Sequence, residues 1–178
     1  MASKDEILKF AMNGGMFEIN NVPKGLYIEN SEIFNKIDTS KGKGNFYLQP
    51  NGVFFITKNK EPEIVETKKF RYNPNVQFAT QSGPLLLVDG NINPMFQEQS
   101  KNLNIRNGVG ILQNGNVVFA MSKKEVNFYN FALLFKELDC KSALYLDGFV
   151  SRTYFPEKNW IQEDGNFGVM IGVTESQK

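Results

Sequence analysis

Apolar residues fall in short runs along most of this chain, and glycine, asparagine and proline punctuate them. Short runs rich in β-branched and aromatic side chains, bounded by turn-forming residues, read as strands. On that criterion strands are predicted at 7–12, 25–29, 46–49, 53–57, 76–80, 85–88, 108–112, 117–121, 143–146 and 169–173. Asn114-Gly115 lies between the runs at 108–112 and 117–121, and Asn-Gly is a dipeptide that tight hairpins favour. One segment breaks the pattern. Over about 126–138, Val126, Tyr129, Ala132 and Leu133 recur at helical spacing, and Phe128, Phe131, Leu134, Phe135 and Leu138 add apolar bulk. Asn127 is the expected N-cap, with Ser122 and Glu125 as a competing capping box.

Many strands and one main helix predict an α+β fold, a mixed and largely antiparallel sheet with the helix packed on it. Residues 1–178 read as a single domain, the size at which one core suffices. The polar stretches 35–45 and 91–104 read as mobile surface loops. Asn-Gly recurs at 13–14, 51–52, 107–108 and 114–115, but the irregular intervals indicate repeated turn chemistry and not a solenoid.

Composition removes several kinds of chemistry. No histidine is present, which excludes Ser-His-Asp and Cys-His triads and imidazole-bound zinc. The lone Cys140 sits in an apolar setting and reads as a buried structural thiol, in keeping with a reducing compartment. Twenty basic residues against nineteen acidic ones leave a net charge of +1, so no nucleic-acid partner is expected. The most basic stretch, 58–69, is interleaved with Glu61, Glu63 and Glu66 and reads as a solvated loop or edge strand. No membrane span is present, and residues 7–12 are too short for an export-signal core. As written the chain is expected in the cytoplasm; a trimmed N-terminus would make it an exported protein. The oligomeric state is not legible.

Four polar segments at strand ends remain as carriers of chemistry. Asn13-Gly14-Gly15 follows the first strand, and its glycines let backbone N–H groups approach a ligand. Gln81-Ser82-Gly83-Pro84 leads into the apolar run at 85–88 with uncharged groups suited to sugar hydroxyls or phosphate oxygens, whereas Asp89-Gly90 reads as a turn. Arg106-Asn107-Gly108 places a guanidinium, able to bind a phosphate or carboxylate in pairs of bonds, at a strand start. Asp147-Gly148 ends an apolar strand with Ser151 just beyond, and a rigid strand delivering a carboxylate to a loop is a common catalytic arrangement.

In this order the segments resemble the phosphodiester glycosidase family. The resemblance rests on residues 10–17, 25–29, 44–46 with 50–54, 81–84, 106–110, 126–129 and 144–148. It implies hydrolysis of the bond between a sugar and a phosphodiester oxygen, exposing a phosphate monoester. Asp147 is then the nucleophile or general base, Arg106 the phosphate holder and Glu29 the second carboxylate. Asn13, Gly14, Gly15, Asn51, Gln81, Ser82, Gly83, Asn107, Gly148 and Ser151 form the expected substrate-binding set. A phosphate leaving group needs little general-acid help, so the lack of histidine is no obstacle. The alternative is a non-catalytic protein that sequesters a sugar phosphate or nucleotide-like ligand. A third reading, an interaction module, rests only on the aromatic content, and sixteen phenylalanines are more simply core. No cofactor is expected. Carboxylate and amide oxygens admit a divalent metal, but no calcium-loop spacing indicates one.

Overall fold

The computed structural model describes residues 5–177. In chain order the strands are β1 (Glu6–Asn13), β2 (Tyr27–Glu29), β3 (Glu32–Asn35), β4 (Gly52–Thr57), β5 (Pro62–Glu66), β6 (Val76–Ser82) and β7 (Leu85–Val88). They continue as β8 (Asn91–Ile92), β9 (Asn107–Leu112), β10 (Val117–Met121), β11 (Cys140–Tyr145), β12 (Thr153–Phe155), β13 (Trp160–Ile161) and β14 (Met170–Ser176), with α1 (Phe128–Glu137) between β10 and β11.

These strands build three sheets where one was expected. Their orders are β13-β12-β1-β14, β10-β9-β11-β7-β8 and β3-β2-β6-β4-β5. Every pairing among the described residues is antiparallel. The α+β class therefore holds, as a sheet-dominated version with α1, the single α-helix among the described residues, against one sheet.

Alternation along the strands explains the layering, because successive side chains point to opposite faces. On β11, Leu144 joins a core with Met12, Phe54, Leu85, Val109 and Ile111, to which all three sheets contribute. Its neighbours Ala143 and Tyr145 face the other way and pack with Phe128, Phe131, Ala132 and Phe135 of α1. On β4, Phe54 enters the shared core, whereas Val53 and Phe55 pack with Leu26, Ile28, Phe70 and Val76 behind the third sheet.

The helix is held by the stripe 128, 131, 132 and 135, spaced by three and four residues. Leu134 and Leu138, expected in the apolar bulk, are exposed. Asn127 caps it, its side chain accepting from Asn130 N at 2.8 Å. The hairpin at Asn114-Gly115 forms between β9 and β10, with Gly115 at φ +87°. Asp89 and Gly90, both with positive φ, make the predicted turn between β7 and β8.

Several local expectations are corrected. Residues 46–49 are no strand; a 3₁₀ turn at Asn45–Tyr47 stands there, because Gly44 at φ +89° and Pro50 bracket too few residues for a ladder. The basic stretch contains β5, an edge strand. Both polar loops lie mostly at the surface, as expected, and each is anchored by hydrogen bonds. Gln81 bonds both the N–H and the carbonyl of Asp38, and Asn93, nearly fully buried, bonds Leu85 O and receives Met95 N.

Candidate active site

Strand β1 ends at Asn13, β9 begins at Asn107 and β11 ends at Tyr145, and the three ends are laced together. Asn107 Nδ2 donates to Asn13 O (3.1 Å), Leu146 N donates to Asn107 O (3.1 Å), and Asp147 N donates to Gly14 O (3.0 Å). The Asn13 amide then straps the Asp147 loop: Nδ2 donates to Asp147 O, and Oδ1 accepts from Arg152 N at 3.0 Å. The Gln81-Ser82-Gly83-Pro84 turn closes the ring through Tyr145 N, which donates to Pro84 O at 3.0 Å. Gly15 lies against the third sheet so closely that a Cβ there would come within 2.2 Å of Thr80 Oγ1. Four segments far apart in sequence thus meet at one place, with Asp147 half-buried beside it.

Arg106 is 0% exposed, an unusual state for a charged side chain. Nε donates to Val126 O (2.8 Å), Nη2 donates to Asn102 O (2.9 Å), and the guanidinium stacks 3.6 Å above the Phe128 ring. It also lies 5.5 Å from the Tyr145 ring centre. Burial raises the Tyr145 hydroxyl above its ordinary range and Asp147 adds to the rise, whereas Arg106 opposes it. Arg106 and Asp147 therefore act on Tyr145 in opposite senses.

The three buried side-chain atoms without a hydrogen-bond partner among the described residues are Ser82 Oγ, Arg106 Nη1 and Asn107 Oδ1. An unpaired buried polar group costs about 1–3 kcal/mol, so such atoms mark function or strain. All three belong to segments singled out from the sequence.

Other expected site residues are hydrogen-bonded to the surrounding scaffold. Gln81 is fully buried, and its amide is saturated: Oε1 accepts from Leu26 N and Asp38 N, while Nε2 donates to Asp38 O and Thr67 Oγ1. No capacity remains for a substrate. Asn51 Nδ2 holds Phe46 O at 3.0 Å, and Gly83 is squeezed between Asn51 and Phe46. Ser151 Oγ donates to Gly148 O at 3.0 Å and shapes the loop. Gly148 passes over Tyr145, where a Cβ would sit 1.8 Å from the hydroxyl oxygen.

Glu29 is not brought to the cluster. Tyr27 pairs with Thr80, so β2 runs away from the Ser82 end of β6, and Glu29 accepts from Tyr27 Oη at 3.3 Å beside the β2–β3 turn. Four residues of strand, about 13 Å, separate its level from Ser82.

A cleft of about 520 Å³ borders the Asp147 loop, lined by Gly148, Ser151 and Arg152 of that loop together with Ser122, Lys123, Lys158, Trp160 and Gln162 among others. A second cleft of about 250 Å³ is lined by Pro84, Asn102, Phe128 and others. Arg106 lies by both, since its neighbour Ile105 lines the first and its stacking partner Phe128 the second. Sequence reading passed over Tyr145, although it sits two residues before Asp147. Lys123, Lys158 and Trp160 come from other strands and loops, and only the fold brings them to this loop. No group of three or more Cys, Asp or Glu among the described residues converges as metal ligands.

The family model for phosphodiester glycosidase matches residues 7–174, nearly the whole of this strand-end architecture. The chain belongs to the phosphodiester glycosidase family. Among its relatives is the uncharacterized protein YigE of Escherichia coli K12, 42% identical over 148 residues, which covers 83% of this chain and 58% of YigE. The fold is shared with the catalytic domain of zebrafish N-acetylglucosamine-1-phosphodiester α-N-acetylglucosaminidase, a structure auto-inhibited by its pro-peptide. That match has a TM-score of 0.62 and 18% identity and covers 83% of this chain and 53% of the other. The chain thus spans little more than half the length of either protein.

Proposed function

We propose that this member of the family is a hydrolase that cleaves the bond between the anomeric carbon of a sugar and a phosphodiester oxygen. The observation that carries the reading is the convergence of four strand-end segments on Asp147, whose backbone is fixed on both sides by Gly14 and Asn13. Fixing the backbone of a carboxylate in this way limits the positions it samples, as catalysis requires.

Asp147 acts at the anomeric centre, as nucleophile or as base for the attacking water. The carbon–oxygen bond breaks with its electron pair passing to the phosphate oxygen, and water supplies the hydroxyl on the sugar. The departing group is a phosphate monoester dianion whose second ionisation lies near 6, so it leaves at neutral pH without a strong acid. The leaving side therefore needs no carboxylic acid, Asp147 works on the attacking side, and Glu29 at the β2–β3 turn is given no role.

Arg106 holds Tyr145, and through it the floor under Gly148, as a positioning residue: its buried guanidinium is committed to Val126 O, Asn102 O and the Phe128 ring, with Tyr145 alongside. Ser82 Oγ and Asn107 Oδ1 retain hydrogen-bonding capacity for the sugar or for ordered water. Incubation with a sugar 1-phosphodiester should release free sugar and a phosphate monoester, seen by phosphorus NMR. Asp147→Asn should lower the rate about 10²–10⁴-fold while leaving circular dichroism unchanged. Ligand recovered intact from the wild-type protein would instead favour sequestration.

A further inference from the structure

The larger cleft has a charge pattern that the hydrolytic step itself does not account for. Among the described residues its lining contains three cations, Lys123, Arg152 and Lys158, and no carboxylate. Arg152 is partly spent, with Nε 3.0 Å from Asp164 Oδ1 and Nη2 2.8 Å from Asp164 Oδ2. Lys123 and Lys158 make no ion pair among the described residues. The Lys123 ammonium stands 5.2 Å from the centre of the Trp160 ring, and that ring is pinned by Nε1 donating to Gln162 Oε1 at 3.0 Å. Gln162 Oε1 also accepts from Thr153 N at 3.1 Å, so the wall is tied to β12. Ser122 Oγ accepts from Arg106 N at 2.9 Å and keeps its own proton to donate into the cleft.

Uncompensated cations facing one concavity raise the local concentration of anions, and low-dielectric walls focus that field. The volume of about 520 Å³ is that of an ordinary small-molecule site. A planar indole beside the Lys123 ammonium, with Lys158 and a hydroxyl lining the same cleft, suits a phosphate ester, with the charges on the phosphate and the ring against the esterified group.

We infer that this cleft is a phosphate-ester site in which Lys123 and Lys158 bind the phosphate, Arg152 flanks it, and Trp160 packs against the organic group it carries. That the bound ester is the leaving half of the substrate rests on the hydrolase reading above; the binding of a phosphate monoester does not. In the reaction the site would hold the developing dianion one residue beyond Asp147, and afterwards hold the product.

Trp160 is the only tryptophan, so its fluorescence reports this cleft directly. Titration with sn-glycerol 3-phosphate should give a saturable fluorescence change at millimolar concentrations, whereas glycerol should give none. In the double variant Lys123→Gln, Lys158→Gln the affinity should fall by about tenfold or more, with the melting temperature unchanged because both side chains are exposed. An identical titration in the double variant, or no saturable change in the wild type, would overturn the assignment. Parallel assay of a sugar 1-phosphodiester separates the two readings. Binding without cleavage defeats the hydrolase and leaves the phosphate site standing. Cleavage with unchanged KM in the double variant and no binding of glycerol phosphate does the opposite.

Discussion

Tyr145 is the residue on which the electrostatics of the site turn. Its hydroxyl is pushed upward by burial, further by Asp147, and pulled down by Arg106. A phenol whose folded-state value exceeds the unfolded one, 10.0, stabilises the protein fully below that pH and loses the contribution as pH climbs through the folded value. Alkaline titration followed by phenolate absorbance should therefore show Tyr145 ionising late, and Tyr145→Phe should remove that late component. Arg106→Met should move the ionisation later still, since a lowering influence is lost. The same substitution strands the carbonyls of Val126 and Asn102 and should cost roughly 2–4 kcal/mol in urea unfolding. A variant whose tyrosine titration is unchanged would dissociate Arg106 from Tyr145. The identity of these residues is plain in the sequence, but their direction is not. Arg106 and Glu29 are both legible as charged candidates, but the burial of the guanidinium against Phe128 and the register of β2 on β6 that sets the level of Glu29 depend on partners distant in the chain.

At the level of elements, the clamp made by Gln81 and the seat of α1 decide how rigid the site is. Gln81→Leu would leave Leu26 N and both backbone groups of Asp38 without their partner, a loss of about 2–4 kcal/mol with faster amide exchange across residues 36–45. Unchanged exchange there would show that the loop is held by something else. Phe135→Ala opens a cavity under α1 beside Gly110 and Cys140 and should cost about 3–5 kcal/mol by the same assay. The elements were legible where their determinants are local: the Asn127 cap, the Asn114-Gly115 hairpin and the Asp89-Gly90 turn all act within a few residues. Short strands such as β8, β12 and β13 carry too few residues to show a period, and they were missed. The buried stripe of α1 was blurred by Leu134 and Leu138, which are apolar yet face outward.

Across the whole molecule, three antiparallel sheets share one apolar core and present their strand ends at one place. Strand content and turn chemistry foretold the class; the division into three sheets depends on which distant strands pair, and no local pattern encodes it. The same holds for the site. The order of the polar segments was readable, whereas the cationic cleft assembles from β10, the β12–β13 hairpin and the Asp147 loop only after folding. The role proposed for Asp147 requires cleavage at the sugar carbon. The decisive measurement is hydrolysis of a sugar 1-phosphodiester in water enriched in heavy oxygen, with mass spectrometry of both products. Cleavage at the anomeric carbon places the heavy atom in the sugar hydroxyl and leaves the phosphate monoester unlabelled. Heavy oxygen found in the phosphate would mean attack at phosphorus and would contradict the role given to Asp147.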